Sequence, residues 1–222
     1  MTAPTTIEEA RAEIVRVGTS LFHRGYVHAS AGNLSARIGD DYLITPTDAP
    51  LGFLDSERIA VVDGAGTQVA GDRASKTFTL HRRIYHAAPT ARFIIHTHST
   101  HLVALTLLGV WSEADILPPI TPYFVMKVGH VPLVPYHRPG HPAVADHVAR
   151  LIDAHQQRGV PLGAVMLERL GPVVWGPTPT AAMAVLEELE ETARLWLLTQ
   201  ARSTPLTDPT IQDLKDTFNA PW

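Results

Sequence analysis

Cysteine is absent from all 222 residues. That one fact excludes disulfide bridges, cysteine-ligated zinc sites and thiolate nucleophiles together. No apolar run approaches the ~20 residues that a membrane-spanning helix requires. A basic surplus is missing too. Lys and Arg total 18 against 22 Asp and Glu, a formal charge of −4, whereas nucleic-acid proteins carry a basic stripe or excess. The first residues, Met-Thr-Ala-Pro-Thr-Thr followed by acidic side chains, have neither the basic start nor the apolar centre of a secretory signal. No repeat, low-complexity stretch or dividing linker interrupts the chain. The expectation is a single cytoplasmic domain over residues 1–222, with a C-terminal tail from about 201. It has room for a substantial core, and neither nucleic acid nor membrane is expected as a partner.

Histidine, by contrast, is plentiful: the chain has 12, clustered between His81 and His155. The densest chemistry lies in Phe93-Ile94-Ile95-His96-Thr97-His98. A short apolar run rich in β-branched residues reads as a buried strand, and in a strand residues i and i+2 share a face. His96 and His98 can therefore close on one ion from one direction, and imidazole is the commonest protein ligand of zinc and its neighbours. The pattern equally suits a strand end where one ring bonds a backbone carbonyl and the other is wetted. Two ligands also fall short of a catalytic zinc, which usually has three from the protein and one open position.

Along the chain, Thr5 and Thr6 stand three residues before Glu8 and Glu9, a capping-box pattern that opens a helix running to about Arg24 and ended by Gly25. Short β-like pieces follow at Asn33–Arg37, Tyr42–Thr45 and Ile59–Val62, with Asp63-Gly64 as a turn before Thr67–Val69. Thr77–His86 reads as a helix stopped by Pro89, and His101–Leu108 as a mostly apolar helix after the histidine strand. Six prolines between Trp111 and Gly140 argue for irregular chain with short strands. Pro142–Gln157 is an amphipathic helix with Val144, Val148, Leu151 and Ile152 on one side. Ala164–Leu167 and Pro172–Trp175 read as adjacent strands around Leu170-Gly171. A last helix runs from about Thr180 to Gln200, with Val185, Leu189, Ala193 and Trp196 inward and Glu187, Glu188, Glu190 and Glu191 on a solvated face; His86, His147 and His155 are expected on helix surfaces.

Several segments, taken in order, carry a resemblance. They are Ser30-Ala31-Gly32-Asn33-Leu34-Ser35-Ala36-Arg37, Leu43-Ile44-Thr45-Pro46-Thr47, Ser75-Lys76 and His96-Thr97-His98-Ser99-Thr100-His101. Thr121-Pro122-Tyr123, Val134-Pro135-Tyr136 and Gly171-Pro172-Val173-Val174-Trp175-Gly176 complete the set. Together, over roughly residues 7–200, they resemble the class II aldolase/adducin family, whose founding enzymes are fuculose-phosphate aldolase and ribulose-phosphate 4-epimerase. Leu51-Gly52-Phe53-Leu54-Asp55, Thr121 to Gly129 and Tyr136-His137-Arg138-Pro139-Gly140 look most like its branch of 3-oxo-tetronate 4-phosphate decarboxylases. The resemblance implies a three-layer α/β fold, a central mostly antiparallel sheet flanked by helices. It also implies a homotetramer with active sites between neighbouring subunits.

Residue by residue, the resemblance makes Asn33, Thr47, Ser75 and Lys76 a phosphate cradle. A helix start, small hydroxyls and a cation suit a dianion. Asp48 stands among them, and its carboxylate must turn away or pair with Lys76 or Arg73. Arg138, a candidate substrate-binding residue, can grip a carboxylate bidentately or bind a neighbouring carbonyl. Tyr123 matches a tyrosine that donates a proton from the adjacent subunit. His96 and His98 match two of three histidine ligands of a divalent ion, zinc ahead of manganese or cobalt. Leu170 occupies the place of the third, and Thr77 that of the family's acidic acid/base residue. Glu168 is the expected replacement ligand, with His130, His137 and His141 as alternatives. If the chain stays extended there, Glu168 shares a face with Leu170. The function implied is a metal-dependent carbon–carbon lyase, a decarboxylase or aldolase, acting on a small phosphorylated or carboxylated keto-sugar acid. Metal-independent chemistry, or a non-catalytic binding protein on the same fold, is the alternative that Leu170 and Thr77 leave open.

Overall fold

In a computed structural model of the chain, residues 2–222 are described. Helix α1 (Ile7–His23) opens through the expected capping box. The Thr6 hydroxyl accepts the Glu9 N–H, and the Glu9 carboxylate accepts the Thr6 N–H. Eight strands follow: β1 (Asn33–Ile38), β2 (Asp41–Ile44), β3 (Ala60–Val62), β4 (Gln68–Ala70), β5 (Phe93–His96), β6 (Leu133–Val134), β7 (Ala164–Leu167) and β8 (Gly171–Gly176). They form one sheet in the order β4-β3-β2-β1-β5-β8-β7-β6, in which only the β6–β7 pair is parallel. The remaining helices are α2 (Phe78–Ala87), α3 (Thr100–Leu108), α4 (Pro122–Lys127), α5 (Ala143–Gln157), α6 (Pro179–Leu198) and α7 (Asp208–Phe218).

Helices cover both faces of the sheet, so its central strands read as unbroken apolar runs. Leu34, Ala36, Phe93, Ile95 and Val174 pack with Ile14, Leu105 and Leu189 of α1, α3 and α6. Ile94, Val173 and Trp175 pack on the other side with Leu80, Ile84, Val148 and Ile152 of α2 and α5. Period-two alternation then sends His96 out beside Ile94, toward α2 and α5. Asn33 is the partner of His96 across the β1–β5 ladder and emerges on that same side. The site therefore forms where β1 begins and β5 ends, beneath the start of α2. Among the described residues no helix is long and apolar enough to cross a membrane.

Four expectations change. The proline-rich stretch contains a helix, α4, because Pro122 falls in its first turn, where its missing N–H costs nothing, and the Thr121 hydroxyl accepts the Phe124 N–H. The segment beyond 201 carries α7, whose Ile211 and Leu214 pack against Val125 of α4. The acidic residues of α6 are not one solvated face. Glu190 is buried, and Glu188 accepts hydrogen bonds from the Thr121 and Thr192 hydroxyls. His155, expected on a helix surface, is buried as well.

Candidate active site

A cavity of about 300 Å³ opens at the ends of β1 and β5. Its wall brings together Asn33, Thr47, Ser75, Lys76, Thr77, His96, His98 and Arg138, eight of the ten residues singled out from sequence. Glu168 and Tyr123 are not on it.

Backbone pairing sets the polar end. Beyond β2 the chain continues as an isolated bridge between Pro46 and Ala74. The Thr47 N–H donates to the Arg73 carbonyl and the Ser75 N–H to the Thr45 carbonyl. Thr47 and Ser75 are thereby held side by side just before α2. The hydroxyls of Ser75 and Thr77 are 2.9 Å apart, so Thr77 is engaged with its neighbour, and among the described residues no acid or base bonds its hydroxyl. Asp48 lies on the wall in a left-handed conformation, φ 57°. Among the described residues it pairs with neither Lys76 nor Arg73. Asn33 is almost fully buried, and its Oδ1 has no hydrogen-bond partner. Such an orphan calls for a donor from a ligand or a water.

The imidazole pair sets the other end. The rings of His96 and His98 lie 5.1 Å apart between centroids, although the strand ladder stops at His96. His96 Nδ1–H donates to the Pro172 carbonyl at 2.8 Å, which fixes the tautomer and leaves an Nε2 lone pair free. Burial first, and repulsion from His98 second, hold the His96 ring down at about 4. Burial and then His28 also lower His98. Both rings are neutral near pH 7, the form that binds metal. Two backbones crowd this corner. A Cβ on Gly32 would meet the His96 carbonyl at 2.7 Å, and one on Gly171 (φ 125°) would meet that of Thr97 at 2.0 Å. Only glycine permits the second approach.

Glu168 does not join the pair. The 168–170 segment turns instead of staying extended, with Arg169 left-handed at φ 64°, so alternation fails. Leu170 goes to the cavity wall, while the Glu168 carboxylate accepts the Tyr136 N–H at 2.8 Å. His130 is likewise committed elsewhere: its Nδ1–H donates to Asp115, and its ring stacks on Trp222 at 4.4 Å. Among the described residues no group of three His, Asp or Glu side chains stands close enough to hold an ion. The residues present therefore fit a divalent ion at two positions, His96 and His98, and supply no third ligand. His28, beside His98, is a neighbour of the pair that the sequence did not mark. As an exposed loop histidine it carries no local signal. Tyr123 is 58% exposed on α4, outside its own chain's cavity.

Comparison with known proteins agrees with this architecture. Residues 12–197 match the model of the class II aldolase and adducin N-terminal domain. The chain is 54% identical over 223 aligned residues to the 3-oxo-tetronate 4-phosphate decarboxylase of Cupriavidus necator, covering 98% of this chain and all of that one. It is 44% identical to the protein of the same name from Pectobacterium atrosepticum, covering 85% and 84% of the two chains. The crystal structure of YgbL from Escherichia coli superposes with a TM-score of 0.86 at 38% identity, covering 94% of this chain and 99% of that one.

Proposed function

The chain belongs to the class II aldolase and adducin family, and from that premise we propose that it is a lyase that decarboxylates a 3-oxo-tetronate 4-phosphate. The name and full-length identity of the Cupriavidus necator relative support the substrate class. So does a cavity with Lys76 and Arg138 at its polar end.

One observation favours decarboxylation over aldol cleavage: Thr77, which stands where a carboxylic acid/base was expected, is tied to Ser75. A retro-aldol step must remove a proton from a substrate hydroxyl, which needs a base. A 3-oxo acid is already ionised at its carboxylate. Its C1–C2 bond breaks, carbon dioxide leaves, the bonding pair moves onto the C3 carbonyl as an enediolate, and C2 then takes a proton. No base is required for the cleavage itself, and the only carboxylate on the described wall is Asp48, at the polar end.

Asn33, Thr47, Ser75, Lys76 and Arg138 hold the phosphate, anchoring the reacting carbons over the imidazoles. Thr77 acts by orienting Ser75. His96, through Nε2, and His98 would hold a divalent ion, zinc ahead of manganese or cobalt, whose Lewis acidity favours the enediolate oxygen. Tyr123 donates the C2 proton to a neighbouring chain's substrate within a homotetramer. Its exposure and its absence from its own cavity support that placement. A second reading, metal-independent turnover, is favoured by Leu170 alone.

The test is incubation of purified protein with 3-oxo-tetronate 4-phosphate, following carbon dioxide and the three-carbon keto phosphate that remains. Stoichiometric release of both is expected. An aldehyde product, or none, would remove the decarboxylase assignment, and activity that survives a strong chelator would favour the second reading.

A further inference from the structure

The loop at the cavity mouth, residues 135–142, holds two histidines with ring centroids 5.2 Å apart and opposite hydrogen bonding. His137 Nδ1–H donates to the Pro135 carbonyl at 2.8 Å, so its Nε2 keeps a lone pair. At His141 the direction reverses: the Ala143 backbone N–H donates to Nδ1 at 3.2 Å. A backbone amide can only give its proton, so a neutral His141 carries its own on Nε2. That ring is thereby set up as a hydrogen-bond donor and not as a metal ligand, the inverse of His96.

Its position supplies something to donate to. His141 and Arg138 line the cavity. Between them Gly140 turns with φ 76° over the start of α2, where an added Cβ would stand 3.8 Å from the Lys76 Cβ. The loop thus packs against Lys76 at the polar end.

We infer that His141 is a specificity-determining residue whose Nε2–H, with Arg138, grips the substrate's phosphate together with Ser75 and Lys76. This rests on the phosphate end assigned in the proposed function. A dianion has oxygens enough to accept charge-assisted bonds from all these donors, whereas an unphosphorylated hydroxyl leaves some of them unpaired. The arrangement therefore selects phosphorylated substrates.

Calorimetric titration of the full-length protein with inorganic phosphate tests it, on wild type, His141→Ala and His141→Gln, with bound metal measured in each. Wild type is expected to bind, His141→Ala to bind at least tenfold more weakly, and His141→Gln to regain most of the loss because its amide N–H donates from near the Nε2 position. Metal content is expected to be the same in all three. If His141→Ala binds phosphate as wild type does, the inference is overturned while the phosphate end stands. If wild type binds none, both fall. Metal lost from His141→Ala, or His141→Gln binding no better than alanine, also overturns it.

Discussion

The carboxylate of Glu190, on α6, accepts the backbone N–H of His101 at 2.9 Å and that residue's ring Nδ1–H at 2.8 Å. Its second oxygen accepts the Leu102 N–H at 3.1 Å. A buried carboxylate from one helix thus caps the otherwise unpaired amides at the start of another, α3, with the dipole in its favour. Because α3 begins two residues after His98, this cap also fixes the end of the imidazole loop. Glu190→Ala is expected to cost about 2–3 kcal/mol of stability, since it leaves buried donors unpaired. Glu190→Gln should cost less. Urea unfolding checks this, and a loss below about 0.5 kcal/mol would place the cap among ordinary surface interactions.

Acid should unfold the metal-free protein through its buried histidines. Burial first and His96 second push His81 down to about 3, while His96 sits at about 4. An unfolded histidine titrates near 6.5. Below that value the unfolded chain takes up protons that the folded chain refuses, so stability is complete above about pH 6.5 and falls as pH drops toward 4. The loss is on the order of a few kcal/mol. Urea midpoints measured from pH 7.5 to 4 on chelator-treated protein should decline through that window. A flat profile would contradict it.

Asp48 places a negative charge at the phosphate end. Its φ of 57° is a conformation that asparagine also adopts readily, so Asp48→Asn removes the charge without disturbing the turn. At a partly solvated separation this is worth roughly 1 kcal/mol, or about fivefold tighter phosphate binding. A titration with inorganic phosphate measures it. Unchanged or weaker binding would mean that the carboxylate turns away from the anion.

Much of this architecture was legible in the residues. The capping box at Thr6, the apolar β5 run and the Leu189, Ala193 and Trp196 stripe of α6 each carry a local pattern that tertiary packing reinforces. The cavity wall followed from motifs whose types suit their chemistry, from Asn33 to Arg138. What escaped was set by distance in sequence or by single backbone angles. Glu190 looked like one more surface acid until its contact with the start of α3, about ninety residues away, was visible. Alternation puts Glu168 on the face of Leu170 only in an extended chain. The left-handed Arg169 breaks it, and no neighbouring residue announces that turn. Helix α4 hid behind prolines that usually end helices, yet Pro122 stands in the one turn where proline is harmless.

The central claim is that His96 and His98 hold a divalent ion. Metal analysis by plasma mass spectrometry of protein grown and purified with added zinc, manganese or cobalt tests it most directly, beside His96→Ala prepared identically. Stoichiometric metal in the wild type, lost from His96→Ala while its fold is retained by circular dichroism, is the predicted result. Wild-type protein that stays metal-free under those conditions, or a variant that keeps its ion, would contradict it.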